Sequence, residues 1–130
     1  MANGDINPRS ELALKVEELS GQNLFACYQC GECSSGCPMS QEMDLLPNQV
    51  IRYLQLGFEE VLGSKTPWVC SSCLTCMVRC PKDVDVAKIM EALRVIKLRD
   101  GQNHVDLKAI RVEDDTPPLA FISALRKYVG

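Results

Sequence analysis

Eight cysteines stand in two runs of one pattern, C-x-x-C-x-x-C-x-x-x-C-P: Cys27, Cys30, Cys33 and Cys37 before Pro38, then Cys70, Cys73, Cys76 and Cys80 before Pro81. None is left over. Three thiolates at three-residue spacing can wrap one side of a cube-shaped iron–sulfur core, and the repeat implies two [4Fe–4S] clusters. The fourth cysteine of each run, tied to its proline, does not easily turn back to the same core and crosses to the other one. The expected ligand sets are therefore Cys27, Cys30, Cys33 and Cys80 for one cluster, and Cys70, Cys73, Cys76 and Cys37 for the other. Crossing ties the two halves of the chain together and makes metal loading and folding one event. Pro38 and Pro81 fix the backbone as it leaves each fourth ligand.

Other uses of eight cysteines fit worse. Four disulfides would require export, and the start MANGDINPRSE shows neither a basic region nor an apolar one. Zinc sites favour two separated C-x-x-C pairs over triplets with an outlier. No apolar run approaches the roughly 18 residues of a membrane span. The expectation is an oxygen-sensitive cytoplasmic protein with no membrane insertion. Four thiolates per cubane leave no iron open to substrate, so the chain is expected to move electrons and to hold no catalytic residue. No G-x-G-x-x-G, P-loop or catalytic carboxylate pair points to nucleotide, flavin or phosphate.

Elements must position these thiols within 130 residues, of which 46% are hydrophobic and only 5% aromatic. That leaves stability for an inorganic cross-link to supply. The formal charge is −3. Removing eight thiol protons and adding about two charges for each oxidised core brings the loaded chain to roughly −7, which argues against nucleic acid. Charge is uneven: residues 1–44 hold seven acids and two bases, residues 79–99 six bases and three acids. We read these as two solvated faces.

The spacing predicts a first helix over Pro8–Ser20, with Asn7 as cap, Gly21 as stop and Leu12, Val16 and Leu19 as its buried stripe. A second runs from Pro47 to Leu56, burying Val50, Ile51 and Leu54 before Gly57, with a helical turn over Phe58–Leu62 after it. A third, capped by Asp85, buries Val86, Ile89, Met90, Leu93 and Ile96 and ends near Arg99 and Gly101. Gly31 and Gly36 let the backbone fold closely in the first run. No strand signal stands out, and the 33-position gap between Cys37 and Cys70 holds a helix where small bacterial two-cluster ferredoxins have a short connection. The fold class is all-α: a helical ferredoxin domain over residues 1–101, then a linker and amphipathic tail over 102–130 suited to docking a partner. Met39, Met43, Met77 and Met90 are expected to pack around the clusters and helices, and Trp68 to shield a cluster from water. His104 reads as a surface side chain. The runs are filled differently (Tyr28, Gln29 and Glu32 in one, Leu74, Met77 and Val78 in the other), so unequal cluster potentials are expected.

The runs C-Y-Q-C-G-E-C-S-S-G-C-P-M and W-V-C-S-S-C-L-T-C-M-V-R-C-P-K-D-V-D-V make the chain resemble the C-type subunit of heterodisulfide reductase over about Leu12–Arg99. The resemblance implies a small protein with two [4Fe–4S] clusters. It would relay electrons from an A-type subunit containing flavin and iron–sulfur clusters, the place of flavin-based electron bifurcation in many members, to a B-type subunit. The B-type subunit reduces the heterodisulfide of coenzymes M and B at non-cubane clusters. Hydrogenase or formate dehydrogenase modules can share such an assembly. Adjacent cysteines, which mark the B type, are absent. The alternatives are an iron–sulfur subunit of a glycerol-3-phosphate, glycolate or quinone-linked dehydrogenase, a free ferredoxin, or an iron–sulfur sensor.

Overall fold

The computed structural model describes residues 6–98, 117–119 and 121–123, and the chain divides into two compact units, Met1–Lys97 and Leu98–Gly130. Among the described residues there are helices and short 3-10 turns and no strand. The helical class expected from the sequence is the one found.

Helix α1, Glu11–Ser20, begins later than the Asn7–Pro8 signal suggests. Arg9 takes a left-handed φ of 67°, which no helix continues through, and Ser10 caps instead, its hydroxyl accepting from the Ala13 amide at 3.3 Å. The Asn7 amide is used elsewhere, donating to the Leu56 carbonyl at 3.0 Å. Gly21 closes the helix at φ 67° as expected. The buried face is Leu12, Ala13, Val16 and Ser20, whereas Leu19 is 44% exposed. The stripe runs i, i+4, i+8, and Ser20 can hold its last place because its hydroxyl donates to the Val16 carbonyl at 2.6 Å.

Helix α3, Pro47–Leu56, has the predicted bounds and buries the predicted Val50, Ile51 and Leu54. Gly57 ends it at φ 81°, and a Cβ there would run into the Asn7 carbonyl oxygen, so only glycine fits. The following turn is 3-10, Glu59–Gly63. Helix α6, Val86–Leu98, buries Val86, Ile89, Met90, Leu93 and Ile96, and Asp85 accepts from the Lys88 amide at 3.2 Å as its cap. Its expected end at Arg99 and Gly101 lies outside the described residues. Three short helices were not foreseen: α2 (Glu32–Ser35), α4 (Thr66–Val69) and α5 (Thr75–Arg79). Each is one turn long, too short to leave a periodic signal.

One core joins α1, α3 and α6 through Val16, Leu24, Ile51, Leu54, Ile89 and Leu93, each worth about 1.5–3 kcal/mol of burial. In the second unit, Pro118–Leu119 and Phe121–Ser123 are helical, the Phe121 amide donates to the Pro117 carbonyl at 3.2 Å, and Leu119 and Ile122 are exposed. The rest of the expected tail, and His104 in the expected linker, lie outside the described residues. No described helix is long and apolar enough to cross a membrane.

Candidate iron–sulfur centres

The two cysteine runs trace the same backbone path. Left-handed residues flank the middle cysteine of each triplet, Gln29 (φ 65°) and Gly31 (83°) around Cys30, Ser72 (53°) and Leu74 (62°) around Cys73. These reversals curl three thiols about a common centre, and a one-turn helix follows in each case, α2 and α5, packed against each other. Arg79 of α5 lies over Gly36, where a Cβ would fall 2.7 Å from its guanidinium.

Each triplet meets the fourth cysteine of the other run. Cys27, Cys30, Cys33 and Cys80 line one cavity, beside Asn48, Ile51 and Val84. Cys37, Cys70, Cys73 and Cys76 line a second, beside Met39, Met43 and Met90. Val86, the first residue of α6, borders both. Among the described residues no three cysteine, histidine or acidic side chains converge as a single-ion site would need; the thiols surround a volume instead.

That donor set fits an iron–sulfur core. Thiolates are its ligands, and donors already face the sulfurs: the Val84 backbone amide reaches Cys80 Sγ at 3.3 Å and the Gln29 side-chain Nε2 reaches Cys27 Sγ at 3.5 Å. The Cys73 thiol donates to the Thr75 hydroxyl at 3.3 Å, a bond that reverses on deprotonation. Burial pushes the Cys76 thiol up to about 11, and the nearby Cys70, Cys33 and Cys73 add to the rise. Burial likewise raises Cys33, against a hydrogen bond from Ser34. Hydrogen bonds from the Thr75 side chain and backbone lower the exposed Cys73. Thiols that resist ionisation when crowded need metal to draw off their protons.

Side chains the sequence did not single out hold the runs in place. Gln55 of α3 donates to the carbonyls of Leu24 and Cys27 at 2.8 and 3.0 Å. Arg94 of α6 does the same for Pro67, through Nε, and for Cys70 at 2.9 Å. In both halves the clasped carbonyls belong to the first cysteine of the run and the residue three before it. The turn before each run is capped too. Asn23 Oδ1 accepts from the Phe25 amide at 2.9 Å. Asp44 accepts from the Lys65 and Thr66 amides at 2.9 and 3.1 Å and from the Thr66 hydroxyl at 2.7 Å. Desolvation raises the Asp44 carboxyl, but these bonds and one from the Leu45 amide outweigh it and hold the carboxyl down at about 2. One signal was available in the sequence: Gln55 stands four residues after Ile51, on a face that had to be buried, and a buried amide needs partners.

Trp68 corrects its expectation: it is 51% exposed and lines neither cavity. Met39, Met43 and Met90 do line the second, while Met77 stands exposed at the surface.

Comparison with known proteins agrees with this geometry. Residues 23–84 match the 4Fe-4S dicluster domain family. The iron-sulfur C subunit of CoB–CoM heterodisulfide reductase from Methanopyrus kandleri is 36% identical over 138 residues, covering 97% of this chain and 72% of that protein. The C 2 iron-sulfur subunit of the same-named reductase from Methanocaldococcus jannaschii is 39% identical over 80 residues, 62% of this chain. The C2 subunit of H2/formate:CoB–CoM heterodisulfide,ferredoxin reductase from Methanococcus maripaludis is 39% identical over 119 residues, 83% of this chain. The matches span 43% and 61% of the last two proteins, less than two thirds of their lengths.

Proposed function

The chain belongs to the family of heterodisulfide reductase C subunits, with its two [4Fe–4S] clusters, and on that premise we propose that it is an electron relay within a heterodisulfide-reductase-type complex. Electrons pass from a flavin-bearing A-type subunit to a disulfide-reducing B-type subunit. The observation that carries this reading is the grouping of each triplet with the opposite fourth cysteine around its own cavity. We assign Cys27, Cys30, Cys33 and Cys80 to one cluster and Cys70, Cys73, Cys76 and Cys37 to the other. A cubane bound at either site supplies reversible one-electron chemistry.

The chain's own residues hold, space and insulate the two sites. Sharing Val86 as a wall keeps them close. Each site has one exposed cysteine, Cys30 and Cys73, and exposed apolar side chains lie within five positions of it in the chain: Phe25 and Tyr28 at the first, Leu74, Met77 and Val78 at the second. Two apolar rims support contact with two partners. The wider assembly, with hydrogenase or formate dehydrogenase modules, and a cytoplasmic location belong to the same proposal. A reducing compartment keeps eight free thiols available for iron. We further propose that residues 102–130 dock onto the complex.

An anaerobic tagged pull-down from the native host, with iron counting and mass spectrometry, tests this. Flavin-containing and adjacent-cysteine subunits should co-purify, with about eight irons on this chain. A lone chain with that iron would make it a free ferredoxin. Deleting residues 119–130 should weaken assembly and leave the iron in place; intact assembly would remove the docking role.

A further inference from the structure

Gln55 and Arg94 hold equivalent carbonyls with different charge. We propose that Arg94 makes the site of Cys70, Cys73, Cys76 and Cys37 the higher-potential one, where electrons come to rest before they leave the chain. This rests on the ligand sets assigned above. Reduction adds a negative charge to a cluster, so a fixed cation nearby favours it and a carboxylate opposes it.

The charges around the two sites differ in sign and in how they are held. Arg94 is half-buried and bonded to the carbonyl of a ligand, Cys70, so water and salt screen it less than a surface charge. Arg79 does not separate the sites: it lies over Gly36 next to Cys37 of the second set, but it also precedes Cys80 of the first, and it is exposed. Gln55, the counterpart at the first site, is neutral. There Glu32 lines the cavity, and Lys82, over the Tyr28 ring at 5.9 Å, offsets it; both side chains are exposed.

Three features work against the difference and are outweighed. The Asp44 carboxylate caps the far end of α4, exposed and committed to amides, whereas Arg94 sits at the end that leads into Cys70. Asp85 lines neither cavity and has the Lys88 amide and ammonium as partners, the latter at 3.8 Å. Sulfur hydrogen bonds favour the first site, with Gln29 and Val84 against Thr75, but a neutral donor contributes less than a full charge.

The test is an anaerobic potentiometric titration of the loaded protein followed by electron paramagnetic resonance. Cys30→Ser and Cys73→Ser identify the waves, since each alters or removes the signal of its own cluster. The wave marked by Cys73→Ser should have the higher midpoint. Arg94→Gln should shift that wave to lower potential and leave the other in place, while Arg94→Lys should restore it. Glu32→Gln should raise only the wave marked by Cys30→Ser. The marker order and Glu32→Gln decide the matter even if Arg94→Gln fails to load iron. Two cubanes in the opposite order, or an Arg94→Gln shift of both waves or of neither, would overturn the inference and leave the relay standing. A protein that binds only one cubane would overturn both.

Discussion

The carbonyls leading into Cys27 are clasped by a neutral side chain, and those leading into Cys70 by a charged one, although the Glu17 carboxylate also accepts from the Leu24 amide at 2.9 Å. Asn23 caps the first turn and Gln55 clasps its carbonyls; Asp44 and Arg94 do the same for the second. The backbone paths match, down to the left-handed residues around the middle cysteine. A cluster cradle therefore specifies where donors must stand and leaves open what carries them. Burial accounts for part of the choice. Gln55 is 6% exposed, where an unpaired charge would be costly. Arg94 keeps some access to water, which lowers the cost of its charge.

The largest effect comes from breaking the cross-link between the halves. Cys80→Ala should abolish or convert the cluster otherwise held by Cys27, Cys30 and Cys33, taking about four irons of eight. Cys37→Ala should do the same to the Cys70 cluster. Iron counts and resonance spectra of the two variants check this. Loss confined to the cluster of the mutated run would mean that each run ligates its own cluster, and the two halves would then be independent modules.

Next come the clasps. Gln55→Leu leaves the Leu24 and Cys27 carbonyls without their donor in a buried setting, and should cost about 3 kcal/mol. Arg94→Met should cost about half as much, because water can reach its site, although the substitution removes a charge. Anaerobic thermal melts of the loaded variants give the ranking. An Arg94→Met protein melting below Gln55→Leu would mean that charge, and not burial, sets the strength of the clasp.

A smaller effect separates the caps by pH. The Asp44 carboxyl binds its proton less readily in the folded protein than its ordinary value of 3.8 would allow. Its contribution is therefore complete above about pH 5 and is lost as pH falls toward 2. Asn23 cannot titrate. The melting-temperature gap between the protein and Asp44→Asn should be widest near neutrality and shrink on acidification, whereas Asn23→Ala should give a gap that does not change with pH. Exposure of Asp44 keeps its gap modest.

Much of this comparison could be read in advance and some could not. Helix α3 was delimited by Pro47 and Gly57, and the face of α6 by its apolar period, because these signals are local. Helix α1 is capped by Ser10 and not by the expected Asn7, whose amide goes to a distant partner, the Leu56 carbonyl. The clasps were hidden for the same reason: Gln55 reaches back 28 residues to Cys27, and Arg94 reaches 24 to Cys70. Trp68 has an aromatic's usual claim to the interior, but it lies on a one-turn helix whose inward places are taken by Thr66 and Pro67.

The finest contrast lies at one position. Gly31 and Leu74 both take a left-handed conformation at the start of a one-turn helix. A Cβ on Gly31 would meet nothing within 4 Å, so Gly31→Ala isolates backbone strain and should cost about 1 kcal/mol. Leu74 already bears that strain, but it also covers the second cavity. Leu74→Gly relieves the strain while loosening the unfolded chain and uncovering the site, and these opposed terms should leave stability within about 1 kcal/mol of the parent. If cover is what the leucine provides, the variant's Cys70 cluster should lose iron to a chelator faster while the Cys27 cluster keeps its rate. Equal rates at both sites would mean that leucine stands there for no reason of cover, and that the two halves differ at this position only in strain.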